Sequence, residues 1–258
     1  MYKAELFRQV QITKKDIDSK DPVDQFVFME MVAVRNILAK VDDNIQFITK
    51  VLQGTEMLTP QTEAIATQLM KSEVPASWEK QWEGPENPNN WIRLVNKKGS
   101  ALIKWVQKVQ ANALLKSPVN LSDLFHPETF LSAFRQRSAR LFKVAIDELK
   151  LVSSFDATKI NREGSIQLEG LWLQGCAFDG TRLADIRGAQ KEIQQLPLCS
   201  IAWIADAEND PYPSGTVETP VYHSPTRESL LCTFKMANNG EASKRIISGV
   251  ALFLNGSE

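Results

Sequence analysis

The sequence has few of the residues that reactive and metal-binding sites use. Its 258 residues include three cysteines and two histidines, without a CxxC pair or the spacing of zinc ligands. Cys176, Cys199 and Cys232 are odd in number and far apart, which favours buried thiols in a reducing compartment such as the cytosol. His126, before a proline, is interpreted as a helix cap, and His223 as an ordinary surface or half-buried residue. Neither a metal site nor a disulfide framework is expected.

An excess of charge of one sign is also missing. Thirty Lys and Arg residues stand against 31 Asp and Glu residues, so the field that attracts proteins to nucleic acid or acidic lipid is not expected. The longest apolar stretch, Phe26–Val34, is interrupted by Glu30, and Met1–Gln11 lacks the apolar core of a signal peptide. We therefore expect neither nucleic acid nor a membrane among the partners.

Catalytic motifs that spacing can reveal are absent from the sequence. No window matches the G-x-x-x-x-G-K-[ST] phosphate loop or the G-x-S-x-G nucleophile elbow. Asp42-Asp43, and the group Asp206, Glu208 and Asp210, lack the spacing of a calcium loop and are interpreted as solvated carboxylates. The protein is thus not expected to be an enzyme, and unpaired Ser and Cys residues leave a hydrolase only as an alternative.

The N-terminal half has helical periodicity. Asp21-Pro22 predicts a helix start, because Asp caps free N–H groups and Pro fits the first helical position. Apolar residues then recur every three or four positions as far as Leu52, and Gly54 is positioned to end the helix. Further helix starts are predicted at Thr59-Pro60, near Trp91 and at His126-Pro127. These elements predict a helical subdomain over residues 21–150.

The helix predicted after Pro127 carries three arginines. Phe130, Phe134 and Leu141 are expected on its inner face, and Arg135, Arg137 and Arg140 on its other faces. Guanidinium groups can bind acidic partners with two hydrogen bonds, so the arginines are candidates for docking. Surface helices commonly carry such charge, and plain solvation is the alternative.

A turn-rich loop, residues 75–90, contains several aromatic residues. Trp78 and Trp82 stand among prolines, asparagines and Gly84, and Trp91 follows the loop. Because indoles are costly to leave in water, the loop is expected to be packed down. Binding of a cargo or a partner helix through these residues, as a free-standing adaptor, is an alternative function.

Beyond Lys150 apolar residues alternate with polar ones, which is typical of strands. Strands are predicted at Leu151–Phe155, Ser165–Leu173, Leu198–Ile204, Thr219–His223, Leu230–Met236 and Arg245–Leu254. No long helix is expected between them, which favours an antiparallel arrangement. The predicted fold class is α+β: an N-terminal α-helical bundle followed, over residues 151–258, by a small antiparallel β-barrel of about six strands.

Several stretches together resemble the C-terminal domain of dynein heavy chains. The helical part contains VPxxW at Val74–Trp78, Trp91-Ile92, LSDLFHPETFL at Leu121–Leu131, and FRQ at Phe134–Gln136 followed by Ala139-Arg140. The β-rich part contains LEG at Leu168–Gly170, LQGCAFD at Leu173–Asp179, Leu196-Pro197, TPVY at Thr219–Tyr222 before Arg227, and GVAL at Gly249–Leu252. The resemblance runs from about Pro22 to the end of the sequence. WEGP, SDLFHP and GCAFDG are closest to the subfamily that drives retrograde intraflagellar transport.

The resemblance implies a helical part and an antiparallel β-barrel that lie against the AAA+ ring of the same heavy chain. It implies a regulatory and structural role in a minus-end-directed microtubule motor of the cytoplasm, cytoskeleton and cilium or flagellum. ATP and magnesium, microtubules and other dynein subunits are then expected to bind elsewhere in the parent protein, with no cofactor in this fragment. Residues 1–20 are either an N-terminal extension or the end of the preceding AAA+ region.

The resemblance also suggests site residues. Arg135, Gln136 and Arg140 are carried over as candidate contacts with the ring. The structural residues of the shared motifs are Trp78, Trp91, Phe125, Pro127, Phe130, Gly170, Gly175, Tyr222 and Gly249.

Overall fold

In the computed structural model, which describes residues 16, 19–185, 193–209 and 214–254, helices precede sheets along the sequence. The protein forms two compact units. In the described residues, the first contains Val27–Gln107, and the second contains Lys20–Phe26 and everything from Lys108 onward. Apart from Asp16, Ser19 and Lys20, the predicted N-terminal segment lies outside the described residues. The division near residue 150 follows secondary structure and stays a prediction.

The predicted helices of the N-terminal half are present. They are α1 (Pro22–Leu52), α2 (Pro60–Met70) and, after the short helix α3 (Ala76–Glu79) in the segment predicted as a loop, α4 (Pro88–Gln110). Gly54 follows α1 with a φ of +73°, a left-handed conformation that suits glycine after a helix. The Thr59 hydroxyl caps α2 by accepting a hydrogen bond from the Thr62 N–H at 3.2 Å. The start and stop residues read from the sequence are confirmed here.

The apolar stripe of α1 is buried over only part of its length. Val34, Leu38 and Val41 are buried, whereas Ile45 is 41% exposed and Leu52 is 82% exposed. Helical periodicity therefore identified one face of the helix correctly, but it could not show that the last turns of this face extend beyond the core of the unit.

In the second unit the predicted helix after His126 is α5 (Pro127–Phe142). Phe130 and Phe134 on its inner face are fully buried, but Leu141, which was predicted on the same face, is 39% exposed. One Leu141 methyl lies beside Gly164, which has no side chain to cover it. A further short helix, α6 (Ala242–Ile247), follows most of the strands described next.

The strands of the second unit form three sheets. They are β1 (Leu149–Ser154), β2 (Ile166–Leu168), β3 (Trp172–Gln174), β4 (Ala177–Phe178), β5 (Leu183–Ala184), β6 (Gln194–Gln195), β7 (Cys199–Ala205), β8 (Thr216–Tyr222), β9 (Leu230–Ala237) and β10 (Ala251–Phe253). One sheet has the order β1-β7-β2, another the order β6-β3-β10-β8-β9, and β4 pairs with β5 alone. The described strands do not close into the predicted barrel.

One strand pair also departs from the predicted antiparallel arrangement. β10 is parallel to β8, with Leu252 opposite Val221, and antiparallel to β3. The backbone passes through α6 after β9 and then returns in the direction of β8. Alternation along a strand shows which face is buried but not which strand lies beside it, so the sequence did not reveal this pairing.

Two predicted strands differ from the structure. The strand predicted at Ser165–Leu173 is divided into β2 and β3, because Gly170 has a φ of +78°. The strand predicted at Arg245–Leu254 begins as α6, where Arg245 is 4% exposed and the following two isoleucines are exposed. Only Ala251–Phe253 forms the strand β10.

Candidate functional site

Arg135, a predicted ring contact, is directed into its own unit. Its Nη2 donates a hydrogen bond to the Leu149 carbonyl at 3.0 Å, and its guanidinium carbon lies 4.9 Å from the centre of the Trp203 ring. Among the described residues, the buried Arg135 Nε and Trp203 Nε1 have no hydrogen-bond partner. A guanidinium over an indole face is attracted by the ring electrons. Arg135 therefore joins α5 to the start of β1 and to β7.

The other arginines of α5 fix the segment at the start of the second unit. Arg137 Nε lies 2.7 Å from Asp21 Oδ2, and Arg140 Nη1 donates to the Lys20 carbonyl at 2.6 Å. Arg137 was a docking candidate on charge alone and was not one of the ring contacts carried over from the resemblance; its internal partner lies 116 residues away in the sequence. We define Lys20, Asp21, Arg137 and Arg140 as the entry clamp.

Asp24 adds a titratable group beside the entry clamp. Burial raises the pKa of its carboxyl to about 6, the neighbouring Asp21 carboxylate adds to the rise, and Arg137 opposes it. Asp21 itself accepts a hydrogen bond from the Val23 N–H at 2.9 Å, as expected for a residue before a helix. The start of α1 thus holds two close carboxylates whose repulsion Arg137 partly offsets.

Gln136 is exposed on α5, and Arg140 is exposed despite its hydrogen bond. Of the three predicted ring contacts, these two are open to a partner, and Arg135 is half-buried.

His126 stands at the N-cap position of α5, but its imidazole makes no capping hydrogen bond. Pro127 occupies the first turn of the helix and Phe125 is buried. The LSDLFHP motif therefore forms the core and the start of this helix.

Trp78, in the loop before α4, packs against Trp91 of α4 within the first unit. Trp78 and Trp91 are each 1% exposed, and their rings lie 5.8 Å apart. Trp78 Nε1 donates to Asn44 Oδ1 at 2.9 Å, and Trp91 Nε1 donates to the Trp82 carbonyl at 3.3 Å. The predicted packing of this loop is confirmed. The two buried indoles offer no surface to a cargo, whereas Trp82 is half-buried.

Residues of several shared motifs meet beside β10. Arg227 Nη2 donates to the Gly249 carbonyl at 2.8 Å and to Gln174 Oε1 at 3.1 Å. Its guanidinium carbon lies 5.8 Å from the centre of the Phe253 ring, on which Tyr222 stacks at 6.3 Å. We define these five residues as the β10 clasp. Arg227 connects the β8–β9 loop to β3 and to the segment that enters β10.

Two glycines allow close approach between segments of the second unit. A Cβ on Gly175 would lie 3.0 Å from the Ser248 carbonyl oxygen and from the Val250 backbone. A Cβ on Gly170 would lie 2.5 Å from Nδ2 of Asn120. The Asn120 side chain is held in place, because its Oδ1 accepts a hydrogen bond from the Ser122 N–H at 3.0 Å. Gly170 and Gly175 of the shared motifs thus mark close contacts between segments.

Nucleophiles and metal ligands are not gathered in the part of the protein that the structure describes. Burial raises the pKa of Cys176 to about 11 and that of Cys232 to about 12, and it also raises the pKa of Cys199. These thiols are protonated at neutral pH. No cluster of three potential metal ligands occurs among residues 19–185, 193–209 and 214–254.

Two of the acidic residues considered from the sequence, Asp42 and Glu208, and the second histidine have partners in the structure. Glu208 Oε2 lies 2.6 Å from Arg162 Nη1, and Asp210 lies outside the described residues. Asp42 Oδ2 accepts from Gln46 Nε2 on the exposed side of α1. His223 Nε2 lies 3.7 Å from Glu128 Oε2.

The described helices include none that is long and apolar enough to cross a membrane.

The fold and these contacts define a mixed α and β domain whose motif residues serve packing and internal connections. A family model described as the C-terminal domain of the dynein heavy chain matches residues 3–254, and the protein therefore belongs to this family.

Within the family, the sequence is more similar to cytoplasmic dynein 2 than to a ciliary dynein. It is 35% identical over 92% of its length to cytoplasmic dynein 2 heavy chain 1 of Tripneustes gratilla. It is 32% identical to the Homo sapiens protein of the same name, over 90% of its length. Identity to a ciliary dynein beta chain of Heliocidaris crassispina is 26%, over 97% of its length. The matches span 6%, 5% and 6% of these relatives, respectively.

Proposed function

We propose that this protein is the C-terminal regulatory and structural domain of a cytoplasmic dynein 2-like heavy chain. In this role it packs on the AAA+ ring of the same heavy chain and tunes a minus-end-directed microtubule motor in retrograde intraflagellar transport. The observation that carries the proposal is the identity to cytoplasmic dynein 2 heavy chains over nine-tenths of this sequence, although it spans only 6% of the first relative. A domain of this size then acts on the larger protein that contains it.

Exposed apolar side chains in the first unit support a docking role. Leu52, Met57 and Leu58 lie at the end of α1 and in the segment that leads to α2, and Met57 is 86% exposed. Single exposed apolar residues are common on soluble proteins, but several within one short segment favour an interface. We propose the AAA+ ring as the partner of this segment, because a ring in the same heavy chain is present at high effective concentration.

The second unit offers separate candidate contacts. Ile246 and Ile247 are exposed at the end of α6, with Lys244 in the same helix. On α5, Gln136 and Arg140 are exposed and can meet polar or acidic groups of a ring module. Arg135 remains a proposed contact, but its guanidinium would have to keep or exchange its contacts with Leu149 and Trp203.

A docked domain can regulate a motor through the relative stability of ring conformations. Contacts made in one conformation and lost in another shift the equilibrium between them, and about 1.4 kcal/mol of difference changes it tenfold. ATP and magnesium would bind in the ring, and microtubules and other dynein subunits elsewhere on the parent protein. The relatives named for cytoplasmic and ciliary dyneins support a location in the cytoplasm and cilium.

The test is removal of residues 145–258 from the heavy chain. A deletion that starts before β1 leaves no strand of the three sheets without its partners. We expect altered force or run length in single-molecule motility assays, with microtubule-stimulated ATP hydrolysis retained in part. Unchanged force and run length would contradict the proposed regulation. Loss of all ATP hydrolysis would show that the domain is needed for the ring to fold or work, and would contradict a tuning role.

A further inference from the structure

The loop between β8 and β9 contains the segment Ser224-Pro225-Thr226-Arg227. A serine followed by proline, with a basic residue two positions beyond the proline, is a substrate pattern of proline-directed protein kinases. We propose that Ser224 is a phosphorylation site for a kinase of this class, and that its phosphate releases the β10 clasp by drawing Arg227 away from Gly249. The inference rests on this domain alone and does not depend on the AAA+ ring.

The loop is open enough for an enzyme to reach it. Ser224 and Pro225 are half-buried, and the four residues from Thr226 to Ser229 are exposed. The hydrogen bonds around Ser224 are local: its Oγ lies 2.7 Å from Thr226 Oγ1, and the His223 N–H donates to the Ser229 carbonyl at 3.2 Å. Only the Arg227 side chain, among the hydrogen bonds described for this turn, reaches distant segments. Surface segments with few buried contacts open locally at low free-energy cost, as a kinase requires.

Arg227 is the residue through which a modification of this loop would reach the sheet. It bonds the Gly249 carbonyl and Gln174, as described above. Its φ of +61° is a left-handed conformation that residues with a Cβ rarely adopt, and it is maintained only where the surroundings hold it. Gly249, at a φ of +65°, leaves space for the guanidinium, since a Cβ there would lie 3.3 Å from Arg227 Nη1. The β10 clasp is therefore a strained connection that depends on the Arg227 guanidinium, and it opens when this group leaves the Gly249 carbonyl.

Phosphorylation supplies a stronger partner for that cation. The kinase transfers the γ-phosphoryl group of ATP to Ser224 Oγ: the new Oγ–P bond forms, the bond between phosphorus and the bridging oxygen breaks, the hydroxyl proton leaves, and ADP is released. The turn already brings the two residues together, because the Arg227 N–H donates to the Ser224 carbonyl at 3.2 Å. A phosphate dianion forms stronger hydrogen bonds with a guanidinium than a neutral carbonyl or amide oxygen does.

The first experiment locates the phosphate. The intact protein is incubated with a cyclin-dependent type kinase and magnesium ATP, and the modified residue is identified by tandem mass spectrometry. We expect label on Ser224 in the wild type and in Thr226→Ala, and its loss in Ser224→Ala and Pro225→Ala. Label on Thr226 in place of Ser224 would overturn the assignment. So would an unlabelled Ser224 after an incubation that phosphorylates a control substrate fully.

The second experiment measures the β10 clasp by hydrogen exchange. The Val250 N–H donates a hydrogen bond to the Arg245 carbonyl, and the Leu254 N–H donates to the Tyr222 carbonyl. In the phosphorylated wild type we expect the peptide that contains them to exchange about tenfold faster, as for loss of one charge-assisted bond. Unphosphorylated Arg227→Gln, which lacks the guanidinium of the β10 clasp, should match this rate. Equal rates with and without phosphate in the wild type would overturn the release mechanism, whether or not Arg227→Gln folds.

Discussion

Several arginines bond main-chain carbonyls inside the second unit, as Arg245 does with Asn239. Arg135 donates to Leu149, Arg140 to Lys20 and Arg227 to Gly249. A guanidinium can satisfy a carbonyl oxygen and also contact an aromatic ring, as Arg135 does with Trp203. At this scale the cationic side chains hold together segments that are distant in sequence, which a pattern of charges along one helix does not show.

Replacement of Asp24 by Asn should change the pH dependence of stability. The pKa of Asp24 is raised from 3.8 to about 6, chiefly by burial, so the folded state binds a proton more tightly than the unfolded state does. The unfavourable contribution of the carboxylate therefore grows as pH rises from about 4 to 6 and persists above that range. We expect Asp24→Asn to raise the Tm by about 1–3 °C at pH 8 and to leave it unchanged at pH 4.

Thermal unfolding followed by circular dichroism at both pH values measures this difference. Asp43→Asn is the matched control, because Asp43 is an exposed carboxylate further along the same helix. A lower Tm of Asp24→Asn at pH 8 would show that the attraction of Arg137 and of the helix N-terminus outweighs burial.

At the scale of elements, the long helices were predictable, whereas the short helices and the strand partners were not. Caps, helix-breaking residues and periodicity are local, and they gave the starts of α1, α2 and α5 at Pro22, Pro60 and Pro127. The burial of Arg245 depends on Asp185 and Asn238, to which Arg245 bonds at 2.8 and 2.9 Å. No local pattern contains that information, and a helix was therefore read as a strand.

Gly175 should tolerate a side chain poorly because of its contact with the segment that enters β10. Gly175 and Gly180 have similar φ values of +93° and +100°, so Ala introduces similar backbone strain at both positions. Only Gly175 is crowded, by the backbone of Ser248 and Val250, whereas nothing lies within 4 Å of the Cβ position of Gly180. We expect Gly175→Ala to lower the free energy of unfolding by about 2 kcal/mol more than Gly180→Ala does.

Urea denaturation followed by tryptophan fluorescence gives both values. Equal losses of stability in the two variants would show that the backbone of Ser248 and Val250 moves aside without cost. The comparison therefore separates crowding from conformational strain at a residue of the GCAFDG motif.

For the whole molecule, the sequence identified the surface helix α5 but not what its arginines hold. Arg137 and Arg140 contact residues 116 and 120 positions earlier, and such distances are invisible to spacing arguments. The family and the helical and β-rich parts could be read from motifs. The arrangement of the strands and the internal contacts of Arg135 depend on residues that are distant in the sequence, and no local pattern reveals them.

Charge reversal on α5 should separate docking from folding. Arg140 is exposed, and we expect Arg140→Glu to weaken association of this domain with a heavy-chain ring that lacks it by about tenfold, or about 1.4 kcal/mol. Arg135→Glu places a carboxylate beside the Leu149 carbonyl and the Trp203 ring, and we expect mainly a lower Tm. Gln136→Glu tests the neighbouring exposed position.

Binding is measured by biolayer interferometry with the ring immobilised, and the Tm of each variant by differential scanning calorimetry. If Arg140→Glu lowers the Tm markedly as well as weakening binding, the weaker binding would be explained by a folding role of Arg140 through Lys20. An unchanged affinity in both Arg140→Glu and Gln136→Glu would remove α5 from the proposed docking surface.

The position of β10 has a consequence for synthesis of the protein. β10 is the last strand among the described residues, yet it lies in the middle of its sheet between β3 and β8, and its three residues are fully buried. β3, β8 and β9 therefore leave the ribosome before β10 is made, and the edges of β3 and β8 that will pair with β10 stay unpaired until then. A premature stop codon only a few positions before Ala251 would leave these nascent strands exposed to aggregation and to quality-control proteases.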